Sequence, residues 1–91
     1  MIHGKKITLT IEGQIVEGEI IHLLPNDIEV RITAPYADAT RSLHVPHFMM
    51  GHEPNRLSDE NGHITQRGVE KAEKLLAEIY EECRLKERHQ L

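Results

Sequence analysis

The chain has 91 residues, a formal charge of −4, one Phe, two Tyr, no Trp and one Cys. That length fits one domain, 1–91, with a modest core built from Ile, Leu and Val and filled by Met. A lone cysteine excludes an internal disulfide framework; no apolar run approaches the ~18 residues that span a bilayer, and Met1–Lys6 holds no hydrophobic signal segment. The expectation is a soluble cytoplasmic protein with no membrane partner.

In Lys5–Ile11 the residues Ile7, Leu9 and Ile11 alternate with Lys6, Thr8 and Thr10, the period of a half-buried strand. Glu12-Gly13-Gln14 reads as a hairpin turn. Gln14–Leu24 is less regular, with apolar pairs Ile15/Val16 and Ile20/Ile21 on either side of Gly18. A strand that changes its buried face needs a bulge, and an interior glycine often marks one. Pro25-Asn26-Asp27 supplies a second turn. Ile28, Val30 and Ile32 then alternate with Glu29, Arg31 and Thr33 as a third strand. Such a meander has one apolar face that more sheet or a helix must cover.

Ala34–Ser42 is a polar loop in which Pro35 stops the third strand. Loops of this length on a rigid sheet carry binding residues, and Tyr36 and Arg41 are the candidates here. The plainer reading of Tyr36 is a lid on the core edge. Leu43-His44-Val45-Pro46 predicts a fourth strand that ends at Pro46. His47, Phe48, Met49 and Met50 follow; Phe48 reads as a core plug, or as part of an exposed apolar patch for a partner. His52–His63 is rich in breakers and is expected to be irregular, with one helical turn at Ser58-Asp59-Glu60.

Thr65 is a good N-cap, and Ile64 and Val69 are spaced as a hydrophobic staple. Val69, Ala72, Leu75, Leu76, Ile79, Tyr80 and Cys83 fall within an arc of roughly 140° at helical spacing. The expected organisation is therefore a β-sheet or barrel at 5–48, an irregular connection at 49–64 and a helix at 65–88. Gly68 lowers the helix propensity of the first turn by up to about 1 kcal/mol relative to Ala, and Leu85 falls on the polar side. Pairing of the helix with a second copy would bury any apolar stripe the sheet leaves over, so a homodimer through this helix is one expectation.

The short strands, early hairpin, Leu24-Pro25-Asn26-Asp27 turn and following strand make Lys5–Phe48 resemble a small SH3-like barrel. The fold class expected is α+β: a small antiparallel, partly open SH3-like barrel of about four to five strands, followed by one long amphipathic helix packed on it. That resemblance implies no activity, because the fold serves nucleic-acid, peptide and small-molecule binding alike.

The seven histidines are the compositional oddity. His44, His47 and His52 cluster, and imidazole ligates zinc, copper and nickel. Their spacing, His-x2-His-x4-His, matches no strong zinc pattern, so no cofactor is expected, with a zinc or other transition-metal site at these three as the alternative. No phosphate loop, nucleophile elbow or metalloprotease helix is present, and Cys83 lies on the apolar helix face, which suits a structural thiol rather than a nucleophile. The region through Ile64 has five Lys/Arg against nine Asp/Glu. Without a basic stripe or aromatic platforms, nucleic acid is a disfavoured partner. The function expected is a non-enzymatic binding or adaptor module. It would take a protein or peptide at the sheet edge and the 34–42 loop, through Tyr36, Arg41, His44, His47 and Phe48.

Overall fold

The computed structural model describes residues 5–47 and 55–89. Four strands, β1 (Lys5–Ile11), β2 (Gln14–Leu23), β3 (Asp27–Ala34) and β4 (Thr40–His44), form an antiparallel meander in the order β1-β2-β3-β4. One helix, α1 (Gln66–His89), follows and touches all four strands. This is a small α+β domain.

Each strand follows from its side-chain alternation. Ile28, Val30 and Ile32 of β3 are fully buried, while Glu29 and Arg31 between them are half-exposed. On β2, Val16 and Ile20 are buried and Ile15 is exposed. Val16 and Ile20 share the buried face, so β2 does not change face at Gly18 as expected; its extra residue comes later, at Ile21, since Ile20 pairs with Val30 and His22 with Glu29. The bulge inverts the parity of β2 and brings Leu23 back to the buried face. A second shift lies beside Gly18, where Thr33 of β3 is the extra residue. Glu12 and Gly13 take φ of 49° and 82° in the first turn, the geometry whose twist matches that of two flanking strands. Leu24 and Asp27 close the second turn with reciprocal backbone bonds.

Among the described residues the sheet is not closed. α1 covers its apolar face, and β1 and β4 are its two edges. The SH3-like closure is not seen; what carries over from that expectation is the open antiparallel sheet and the helix that seals it.

α1 starts at its cap as expected. Thr65 Oγ1 accepts the Gly68 N–H at 3.0 Å and donates to the Arg56 carbonyl at 2.8 Å. The buried stripe holds Ala72, Leu75, Leu76, Ile79 and Tyr80, with Cys83 partly buried against it. It meets Val16, Ile20, Leu23, Ile28, Val30 and Ile32 in one core. Fully burying such a side chain contributes about 1.5–3 kcal/mol. Gly68 is more than a weak helix former: a Cβ there would lie 2.3 Å from the Leu57 carbonyl oxygen and 2.6 Å from Ile64. Its bare backbone lets the first turn of α1 rest on the preceding segment.

That segment is more ordered than its breakers predict. Leu57 is fully buried, and its amide donates to the Pro25 carbonyl at 2.7 Å. Ser58–Asp59–Glu60 is not a helical turn. Ser58 bridges Ile64, and Asp59 Oδ1 accepts the amides of Asn61 and His63, both at 2.9 Å. The Asp side chain satisfies amides that a helical turn would have pointed along its axis. The proposed Phe48 plug falls outside the described residues.

Candidate functional site

The two sheet edges frame the candidate surfaces, and the first is β4 with the loop before it. Arg41 sits opposite Val30, so its side chain leaves β4 on the helix side. Its Nη1 donates to Glu78 Oε1 at 3.3 Å and its Nη2 to Glu82. The Arg41 guanidinium holds the Glu82 carboxyl below its usual range, against a smaller opposing effect of burial. Tyr36 stacks obliquely on Tyr80, with ring centroids 5.8 Å apart and planes at 45°. Hydrogen bonding to Glu87, then burial and the charge of Glu87, push its phenol up to about 12. Tyr36 and Arg41 are thus brought together along the second half of α1, where they fasten the 34–42 loop and β4 to the helix. Tyr36 packs against the core as a lid, the plainer of its two readings.

The described members of the expected histidine cluster, His44 and His47, are not part of this arrangement. His44 projects from the solvent face of β4, where its Nδ1 is 2.7 Å from Asp27 Oδ1 across the strand pair. His47 is exposed, and its carbonyl accepts the Asn55 amide at 2.8 Å. Phe48 and His52 are outside the described residues. Among the described residues no group of three His, Cys, Asp or Glu side chains is placed to hold a metal ion. On the outer face of the sheet, Arg31 pairs with Glu19, and Lys6, Thr8, Glu17, Glu19 and Thr33 surround a shallow polar cup.

The second edge is β1, which residue-by-residue reasoning did not single out. It pairs with β2 without interruption, from Lys5 opposite Ile20 to Ile11 opposite Gln14. The two-residue turn makes Ile11 and Gln14 a hydrogen-bonded pair, and such pairs alternate along an antiparallel ladder. Leu9, Ile7 and Lys5 therefore bond to β2, while the backbone groups of Lys6, Thr8 and Thr10 point away from the sheet. No described strand lies beyond them. On the helix side, Lys5, Ile7 and Ile20 face Ile64, Val69 and Ala72 across a cleft of about 170 Å³. The signal was in the sequence: the first strand of a meander is an edge, and Ile7–Ile11 carries neither Pro nor Gly.

The second half of α1 keeps little apolar surface for a partner. Its stripe is spent on the sheet, and Leu85 is the large hydrophobic side chain of α1 left exposed. No described helix is long and apolar enough to cross a membrane. No protein-family model, no curated protein and no solved structure matches the chain.

Proposed function

We propose that the protein is a small non-enzymatic interaction module that binds an extended protein segment by strand addition at the edge of its sheet. The carrying observation is β1: a seven-residue edge, regular throughout, with the outward-turned backbone of Lys6, Thr8 and Thr10 unmatched by any described strand. Most sheet edges are blunted by Pro, bulges, inward charges or shortness. β1 has none of these in Ile7–Ile11, and its only charges are the two lysines at its start. An added strand would gain main-chain hydrogen bonds from the three outward residues. It would place alternate side chains in the cleft beside Ile7 and Val69. The acidic balance of the sheet half favours a partner with basic flanks. The edge at β4 with the 34–42 loop is the secondary surface: it is five residues long and offers Thr40, Ser42 and His44 to solvent.

Photo-crosslinking with p-benzoylphenylalanine tests the reading. Placed at Thr8 or Thr10, and separately at Ser42, the group is expected to give discrete protein adducts, strongest at Thr8 and Thr10. The same group at Glu29, on the solvent face of a central strand, is the control. Adducts at neither edge, at low and at moderate salt, would refute the module.

A further inference from the structure

We propose that the strand received by β1 is the β1 of a second copy. Two chains join antiparallel about a two-fold axis at Thr8, merging their two four-stranded sheets into one. This rests on the strand-addition reading and gives it a partner.

Hydrogen-bond parity fixes the register. The outward backbone belongs to Lys6, Thr8 and Thr10, a set symmetric about its middle member. Only residues whose amide and carbonyl both face outward can exchange paired bonds with a neighbouring strand. With Thr8 opposite the second copy's Thr8, Lys6 lies opposite Thr10 in both directions, and the three pairs form together. A slip of one residue sets outward groups against inward ones. A slip of two loses one of the three pairs among the described residues.

The side chains suit the same register. On the helix face, Ile7 of each copy meets Leu9 of the other. Leu9 and Ile11 are only half-buried in the single chain although they point toward the core side. The join covers Leu9 with Ile7 of the second copy and sets Ile11 opposite the aliphatic stem of its Lys5. On the outer face Thr8 meets Thr8, a cross-strand pair that sheets favour. Charge supports the antiparallel sense. The basic start of one strand, Lys5 and Lys6, lies beside the Glu12 turn of the other, and the two pairs of lysines sit at opposite ends. A parallel arrangement would bring all four lysines together. The two-fold axis is perpendicular to the sheet, so both helices lie on one face and flank the new Ile7–Leu9 strip. The dimer suggested by the helix stripe is replaced by one at the strand.

The test is sedimentation equilibrium on the full chain, with two substitutions at the axis. Thr8→Pro removes an amide that the ladder to β2 does not use, and proline is tolerated where its nitrogen faces solvent. Thr8→Lys sets two charges against each other at the axis. The expected result is a wild type at twice the chain mass. Both variants should be at least tenfold weaker in association, with circular dichroism unchanged. A sample mixed from labelled and unlabelled chains should show intermolecular contacts between Ile7 and Leu9. If Thr8→Pro disturbs the fold, Thr8→Lys decides alone. A wild type at single-chain mass up to about 1 mM overturns self-pairing, as does a dimer that both substitutions leave intact. Strand addition itself survives those results if Thr8 and Thr10 still crosslink to other proteins, and falls with them if they do not.

Discussion

The two edges of this sheet are held to the same helix by different physics. Beneath β1 the packing is apolar: Ile7, Ile20 and Ala72 share the core, with Ile64 packed against it. At β4 the contacts are polar and aromatic: Arg41 on Glu78 and Glu82, and Tyr36 on Tyr80 and Glu87. Apolar burial leaves the outer backbone of β1 unmatched by any described strand. The long polar side chains at β4 reach over the sheet margin and tie the edge strand and its loop down. A strand edge is a template where its outward amides and carbonyls are unmatched and neither Pro, a bulge, charge nor shortness blunts it. Of the expected ligand contacts, Tyr36 and Arg41 are engaged by the helix while His44 and His47 stay exposed; the longer, uninterrupted edge at β1 is made of residues that read as plain strand.

Truncating the apolar contact should have the largest effect. Ile7 is 9% exposed and packs at the margin of the core. Ile7→Ala is expected to cost about 2 to 3 kcal/mol, the low end for such a deletion because the site borders solvent and can partly collapse. Urea titration should show a lowered midpoint with an unchanged slope, and the deficit should persist in about 1 M salt, where only charge interactions are screened. A deficit that vanished with salt would show that the β1 side is not held by carbon contacts.

Arg41→Ala is the matching cut on the other edge, and its expected loss of midpoint is smaller. Both partners are partly exposed, with side-chain exposures of 31% for Arg41 and 56% for Glu82, so water and salt weaken the pair. The difference from wild type should fade as salt rises to about 1 M. It should also fade in acid. Glu82 is held below its ordinary 4.5 in the folded chain. Its contribution is therefore complete above the unfolded value and is lost as the pH falls through the lower folded one. A difference that survives both treatments would mean that Arg41 acts through packing of its stem.

The architecture was legible because it depends on periodicity. Ile28, Val30 and Ile32 read directly as a buried face, and Thr65 with Val69 through Tyr80 as a capped, one-sided helix. That β2 carries a bulge was legible, but its place was not: Gly18 was the expected mark, whereas Val16 and Ile20 on either side of it share one buried face and the extra residue is Ile21. The pairings were not legible. Tyr36 to Tyr80 and Arg41 to Glu82 join residues more than forty positions apart, and no spacing rule connects them. Gly68 was misread for a related reason. Propensity counts it as a loss in the helix, whereas the Leu57 carbonyl 2.3 Å from its missing Cβ makes it a condition of the packing. The order at Leu57 was hidden because turn residues on both sides announce a loop, and a loop's burial depends on what lies under it.

Tyr36 gives the smallest and cleanest measurement of the closed edge. Hydrogen bonding to Glu87 is available only to the protonated phenol, burial disfavours the phenolate, and ionisation would place a second negative charge beside Glu87. Together these effects raise the folded value to about 12 from 10.0. A group with a raised folded value contributes stability that is complete below the unfolded value and is lost as pH climbs through the folded one. The brace should therefore be intact up to about pH 10 and released between there and about pH 12. The phenolate absorbance of wild type minus that of Tyr36→Phe isolates this residue from Tyr80. Its midpoint should lie near 12 and should move down toward 10 in Glu87→Gln, whose neutral amide accepts the bond without repelling the phenolate. A Tyr36 that titrates near 10 in both chains would leave the loop held by ring packing alone. The contrast between a polar-braced edge and an apolar, open one would then rest on Arg41.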